Sequence, residues 1–226
     1  MLIVFLGDSL TWGGYGGNFV AGVAAQLPEH EVINAGIGGN TVLNLYRRLD
    51  EITAQMPDII FTMVGGNDMI SYTYPEVRPY YQQVQGIPDG FISPQQFERI
   101  YRDLLTEIQL QQILPVVGLP PTEANTKVIE GMKHYNEIAR KVAEQLNVPV
   151  LDLFAHFPPS DVGKGKPISL QSINEIGRRV SQGWADYEAE RQQYGYTFTF
   201  DGLHLMPEAA IKMADLIVQF LAPYLG

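Results

Sequence analysis

Five short apolar runs, spaced along the chain and separated by segments of helical periodicity, most constrain what it can fold into. They cover residues 2–6, 31–34, 58–64, 113–118 and 148–153. Most are rich in Val, Ile and Leu without alternation, the pattern of strands buried on both faces of a parallel sheet. Between them, apolar residues recur at helical spacing. One set is Val42, Leu45, Tyr46, Leu49, Ile52, Thr53 and Met56. Others are Phe97, Ile100, Tyr101, Leu104, Leu105 and Ile108, then Tyr135, Ile138, Ala139, Val142 and Leu146. The last is Ala210, Met213, Ala214, Ile217, Phe220 and Leu221, with Pro207 at its first turn. Alternating strands and helices predict a doubly wound α/β sheet, which binds ligands beyond the carboxyl ends of its strands. At 226 residues, one domain over 1–226 is expected.

Two segments break the alternation and are read as insertions. The first, at about 70–91, carries Tyr72, Tyr74, Tyr80, Tyr81 and Phe91 among several prolines. The second, at about 156–200, has helical character from about 168 to 193. Both leave carboxyl strand ends, so both are placed to wall one pocket. Tyr196, Phe198 and Phe200 alternate with Thr197 and Thr199, which predicts a short strand leading into Asp201.

Ser9 stands where the first apolar run gives way to a turn. A serine hydroxyl is a weak nucleophile and needs a neighbouring base. Of the four histidines, His30 lies in a loop and His134 in a helical pattern, while His156 follows the fifth run and could line a pocket. His204 differs because Asp201 lies three residues before it. In a tight loop that spacing lets the carboxylate accept from Nδ1–H and turn Nε2 toward the serine. Ser9, His204 and Asp201 together supply nucleophile, base and orienting acid for acyl transfer. Donors for a developing oxyanion are available from the glycines of segment 34–41 and from Asn67 after the third run. Asp8 is expected to point away from the site and hold the turn's backbone. Trp12, Tyr72 and Tyr74 are candidate substrate contacts.

Four blocks in order, Gly7-Asp8-Ser9-Leu10, residues 34–41, Gly65-Gly66-Asn67-Asp68, and Asp201 to His204, make the chain resemble the GDSL, or SGNH, hydrolase family. The blocks anchor both ends and the middle of the chain. The resemblance implies a flavodoxin-like three-layer sandwich with a five-stranded parallel sheet. It implies hydrolysis of carboxylic esters through an acyl-enzyme on Ser9, without a cofactor. It also implies an oxyanion hole made by the Ser9 N–H, the Gly39 N–H and the Asn67 amide. The stretch from Gly7 to Gly13 resembles the arylesterase and acyltransferase branch, so acyl transfer is an alternative outcome at the same site. De-esterification of an acylated carbohydrate is another. A binding protein that keeps the fold without turnover is disfavoured, because every catalytic position is filled by the expected residue type.

A net charge of −10 provides no basic stripe for nucleic acid and opposes adsorption to anionic membranes. The absence of cysteine removes thiol nucleophiles, disulfides and thiolate metal sites. No metal-ligand cluster is visible. Thr41 stands where a dinucleotide fingerprint needs its third glycine, and Gly163-Lys164-Gly165-Lys166 lacks phosphate-loop spacing. Asp8 and Asp68 suit a phospho-acceptor domain, but no lysine follows the fifth run. No stretch reaches the ~18 apolar residues of a membrane span. The expected partner is a small ester. The expected location is cytoplasmic if Met1 is the native start, or secreted if a leader was removed. Oligomeric state is not encoded in any readable pattern.

Overall fold

The five apolar runs become five strands, β1 (Leu2–Gly7), β2 (Glu31–Gly36), β3 (Ile59–Met63), β4 (Leu114–Gly118) and β5 (Val150–Leu151). In the computed structural model, which describes residues 1–159 and 165–226, they form one sheet in the order β2-β1-β3-β4-β5. All neighbours are parallel, as the unalternating apolar runs predict. This order reverses between β1 and β3, and the crevice at such a point receives ligands in open α/β sheets.

The first half of the chain adds helices α1 (Ser9–Trp12), α2 (Phe19–Gln26), α3 (Val42–Arg47), α4 (Leu49–Thr53) and α5 (Gly66–Thr73). Then come α6 (Arg78–Gln83), α7 (Pro94–Leu110), α8 (Thr126–Gln145) and α9 (Leu153–His156). The chain closes with α10 (Leu170–Ser181), α11 (Tyr187–Tyr194) and α12 (Pro207–Leu221), the last with its proline in the first turn as expected.

Successive side chains of a strand point to opposite faces, so each strand feeds two cores. Val4, Leu6 and Ile60 pack beneath α3, α5, α7 and α8. Ile3, Phe5, Ile59 and Phe61 pack on α2 and α12. The result is a three-layer α/β sandwich. Among the described residues no helix is long and apolar enough to cross a membrane.

Three sequence expectations change. The helical pattern of 42–56 is interrupted at Arg48, whose guanidinium donates to the carbonyls of Gly7 (3.1 Å) and Ala35 (2.7 Å) and to Asn40 Oδ1 (3.1 Å). Helicity over 168–193 splits into α10 and α11. No strand forms at 196–200; only an isolated bridge joins Thr199 to Leu205. Residues Gly163 and Lys164 of the rejected phosphate-loop reading lie outside the described residues.

Close approach explains one strand-end glycine. A Cβ on Gly36 would lie 2.1 Å from the Trp12 nitrogen, so only glycine lets α1 lie against the end of β2.

Asp68, in the first turn of α5, is fully buried and takes the Val42 N–H at 3.0 and 3.2 Å on its two oxygens. Burial pushes its carboxyl up to about 8, against the pull of that hydrogen bond. Between the ordinary 3.8 and about 8 the folded chain therefore holds a proton that the unfolded chain has lost. Stability then falls as pH rises through that window. Asp68→Asn keeps an acceptor for Val42. It is expected to remove ~1.4 kcal/mol per pH unit of that slope. Urea unfolding of both proteins at several pH values within the window checks this; parallel slopes would refute it.

Candidate active site

Ser9 is the first residue of α1, directly beyond the carboxyl end of β1. Asp8 caps this helix, its Oδ1 accepting from the Leu10 N–H at 3.0 Å. The Ser9 hydroxyl lies 2.9 Å from His204 Nε2, and His204 Nδ1 lies 2.8 Å from Asp201 Oδ2. The other Asp201 oxygen accepts from the backbone N–H groups of Leu203 (3.0 Å) and His204 (2.8 Å). One carboxylate thus fixes both its own loop and the imidazole. A carboxylate on Nδ1–H leaves Nε2 as the acceptor facing the serine.

Both Asp201 and His204 are buried. Burial opposes the charged form of Asp201. The facing His204, with the local N–H groups, outweighs it and holds the carboxyl below its ordinary value. Burial also pulls His204 down, but the Asp201 carboxylate outweighs that and the imidazole ends above its ordinary value.

The loop carrying Asp201 and His204 is positioned by a residue the sequence reading did not single out. Glu123, fully buried after β4, accepts on Oε1 from the N–H groups of Thr197, Phe198 and Thr199 (each 2.8 Å) and from the Thr199 hydroxyl (2.9 Å). Its Oε2 accepts from the Thr197 hydroxyl at 2.7 Å. Thr199 Oγ1 in turn accepts from the Gly202 N–H at 3.1 Å, and the Gly202 carbonyl accepts from the Glu123 N–H and the Thr122 hydroxyl. This carboxylate supplies the hydrogen bonds that a neighbouring strand would otherwise give to 197–199.

Glu123→Gln can keep the contacts to residues 197–199, because the amide oxygen replaces Oε1 and the NH2 donates to Thr197 Oγ1. Glu123→Ala leaves several buried N–H groups without acceptors. We expect Glu123→Ala to lose ~3–5 kcal/mol of stability and most activity, and Glu123→Gln to lose far less of both. Chemical unfolding and initial rates of the two variants decide; equal losses would refute the positioning role.

Gly39 and Asn67 flank Ser9 in the same cavity. Gly39 has φ 81°, and a Cβ there would lie 2.3 Å from Gln85 Nε2 and 2.4 Å from the Tyr80 hydroxyl, so both conformation and space require glycine. The Asn67 NH2 donates to the Asn40 carbonyl (3.1 Å) and, at a longer 3.3 Å, to Asp8 Oδ2. Its oxygen accepts from the Tyr81 hydroxyl at 2.8 Å. Asp8 therefore does hold the turn, as expected, but it does not point away. It also faces the cavity and the Asn67 amide, and burial pushes its carboxyl up to about 6.

The cavity at these residues measures about 360 Å³. Trp12 lines it, as do residues of both irregular segments, among them Tyr80, Tyr81, Lys166 and Ile173. Tyr72 and Tyr74 do not line it and are corrected as substrate contacts. Tyr72 packs on Phe91 with ring centroids 6.0 Å apart, and Tyr74 donates to Asn125 Oδ1 at 3.3 Å beneath the Lys127 ammonium. Periodicity cannot tell which face of α5 meets the cavity when both faces carry large side chains. His30, His134 and His156 also lie away from the cavity lining. No group of residues able to hold a metal ion occurs among the described residues.

Known proteins share this fold. An acetyl xylan esterase crystal structure superposes with a TM-score of 0.68 at 22% identity, covering 97% of this chain and 98% of that one, which shows a common fold. An acetylxylan esterase of Geobacillus stearothermophilus is 27% identical over 69% of this chain and 77% of its own length. The uncharacterized lipoprotein YqeF of Bacillus subtilis is 26% identical over 65% of this chain and 64% of its own length, so the match leaves over a third of that protein uncovered. The profile of the GDSL-like lipase/acylhydrolase family matches residues 5–169. The chain belongs to the GDSL-like lipase/acylhydrolase family and is a hydrolase of carboxylic esters.

Proposed function

We propose that the chain cleaves small carboxylic esters through an acyl-enzyme on Ser9. The observation that carries this is the continuous contact from Ser9 Oγ through His204 to Asp201. Ser9 Oγ attacks the carbonyl carbon while His204 Nε2 takes its proton. Asp201 stabilises the imidazolium and keeps the ring in place. The carbonyl oxygen, now an anion, is received by the N–H groups of Ser9 and Gly39 and by the Asn67 amide. Its long bond to Asp8 is the weaker of the two that the Asn67 NH2 makes, and is the one to be exchanged for the oxyanion. Collapse expels the alcohol, which leaves with the proton from His204. Water then attacks the acyl-enzyme by the same steps and releases the acid.

Acetyl esters of carbohydrate are a second reading, supported by the acetylxylan esterase relative. The shared sheet beneath both cores supports reading 1–226 as one domain, with 70–91 and 156–200 as insertions. An alkylphosphonate probe tests the site directly. Stoichiometric labelling at Ser9, blocked by ester substrate, is expected; labelling elsewhere or nowhere would sink the assignment.

A further inference from the structure

Helix α10 is strongly amphipathic yet contains no buried residue. Its apolar positions Ile173, Ile176 and Val180, spaced to share one face, line the cavity that holds Ser9. Met69, Ile70 and Met132, apolar side chains of α5 and α8, line the same cavity. Methionines adapt their shape to a flexible guest. Lys166, a charged residue of the cavity lining, is paired with Glu190 and lies 3.6 Å from Glu175, so its ammonium is already neutralised. Arg179, on another face of α10, is held by Glu190, by Glu175 at 3.0 Å and by the Tyr15 hydroxyl at 3.2 Å. These ion pairs fasten the helix, and Ile173, Ile176 and Val180, each packed on one side against the neighbouring cores, keep part of their apolar surface toward the cavity.

The family profile ends at residue 169, so α10 is built by sequence beyond the part that matches the family. An acetyl group would fill little of the cavity's volume of about 360 Å³, to which α5, α8 and α10 all contribute apolar side chains.

We infer that the part of the cavity lined by α5, α8 and α10 is a slot for the acyl chain of the ester, and that the preferred substrate carries an unbranched acyl group of medium length, about six carbons. This rests on the esterase reading above. The leaving alkoxy oxygen has to stay within reach of His204 Nε2 to take its proton, so the other substituent of the carbonyl carbon, the acyl chain, is the one assigned to the slot.

Gly177 gives the means to test it. It lines the slot, lies within α10, and a Cβ built there meets no atom within 4 Å. A larger side chain fits the backbone and raises helix propensity, while occupying the slot. Rates on p-nitrophenyl acetate, butyrate and hexanoate are compared for wild type and Gly177→Phe, and rates on methyl hexanoate against hexyl acetate for wild type.

The expected result is a rise in kcat/KM of about two- to fourfold per added methylene from acetate to hexanoate, the upper figure corresponding to full burial of each group. Methyl hexanoate is expected to be favoured over hexyl acetate. Gly177→Phe is expected to lower the hexanoate-to-acetate ratio at least tenfold. The wild-type series decides by itself if the variant does not fold. Acetate as the best substrate, or a ratio unmoved in a folded Gly177→Phe, would overturn the slot and leave the esterase reading standing. Preference for hexyl acetate would overturn the acyl assignment. Failure on every ester together with no phosphonate label on Ser9 would overturn both readings.

Discussion

Ester hydrolysis is expected to fall at least ~10⁴-fold when Ser9 is replaced by alanine, with the thermal midpoint little changed. The kinetic effect is large because the hydroxyl oxygen is the atom that forms the covalent bond. Without it, His204 can only assist direct attack by water, and the oxyanion donors supply what catalysis remains. The stability effect is small for a separate reason. Asp8, not Ser9, caps α1, and the Ser9 side chain makes one side-chain hydrogen bond, to His204, at the cavity wall. The variant keeps its backbone N–H, so substrate binding is expected to survive while kcat collapses. Rates on a p-nitrophenyl ester and a thermal melt of the same preparations check both halves. A residual rate above about one-hundredth of wild type, in protein purified free of host esterases, would exclude Ser9 as the nucleophile.

Asp201→Asn is expected to cost ~10⁴-fold in kcat while barely altering the fold. An amide there still offers an oxygen to the N–H groups of Leu203 and His204. Its NH2 group, however, faces Nδ1 as a donor, which forces the ring proton onto Nε2 and presents N–H, not a lone pair, to Ser9. The pH profile separates this effect from simple misfolding. In wild type the Asp201 carboxylate raises His204 above its ordinary 6.5, so kcat/KM climbs with pH through a value above 6.5 as the imidazolium loses its proton. Removing the carboxylate removes that support for the charged ring. The acid limb of Asp201→Asn should move to lower pH even as the plateau drops. An unmoved limb would mean that His204 is not the group being titrated.

The sequence made much of this fold and site legible because the signals were local. Strands buried on both faces leave unbroken Val, Ile and Leu runs, and a nucleophile at a strand end leaves glycine on either side of a sharp turn. Gly7 through Leu10, and Asp201 through His204, each carry their own geometry. What stayed hidden depends on distant partners. Glu123 reads as a polar loop residue after two prolines, yet its acceptors serve N–H groups 74 to 76 residues away. Tyr196, Phe198 and Phe200 resemble a strand because their side chains all turn inward, yet Thr199 is buried between them and the backbone is satisfied by a carboxylate. Arg48 looks like a surface position of one helix and instead ties off two carbonyls at the ends of β1 and β2 and the side chain of Asn40. Tyr72 and Tyr74 show that aromatic content near a site says nothing about which ring faces it.

The hydrogen bond between Ser9 and His204 joins residues separated by 195 positions. During synthesis the nucleophile therefore leaves the ribosome ~10–40 s before its base, at ordinary elongation rates of ~5–20 residues per second. Through that interval the serine is an ordinary alcohol. The sheet can be complete, since β5 ends at Leu151, while chemistry is still absent. Reactivity arrives only when the last segment docks on Glu123, so a nascent or truncated chain can be folded in its centre and chemically silent.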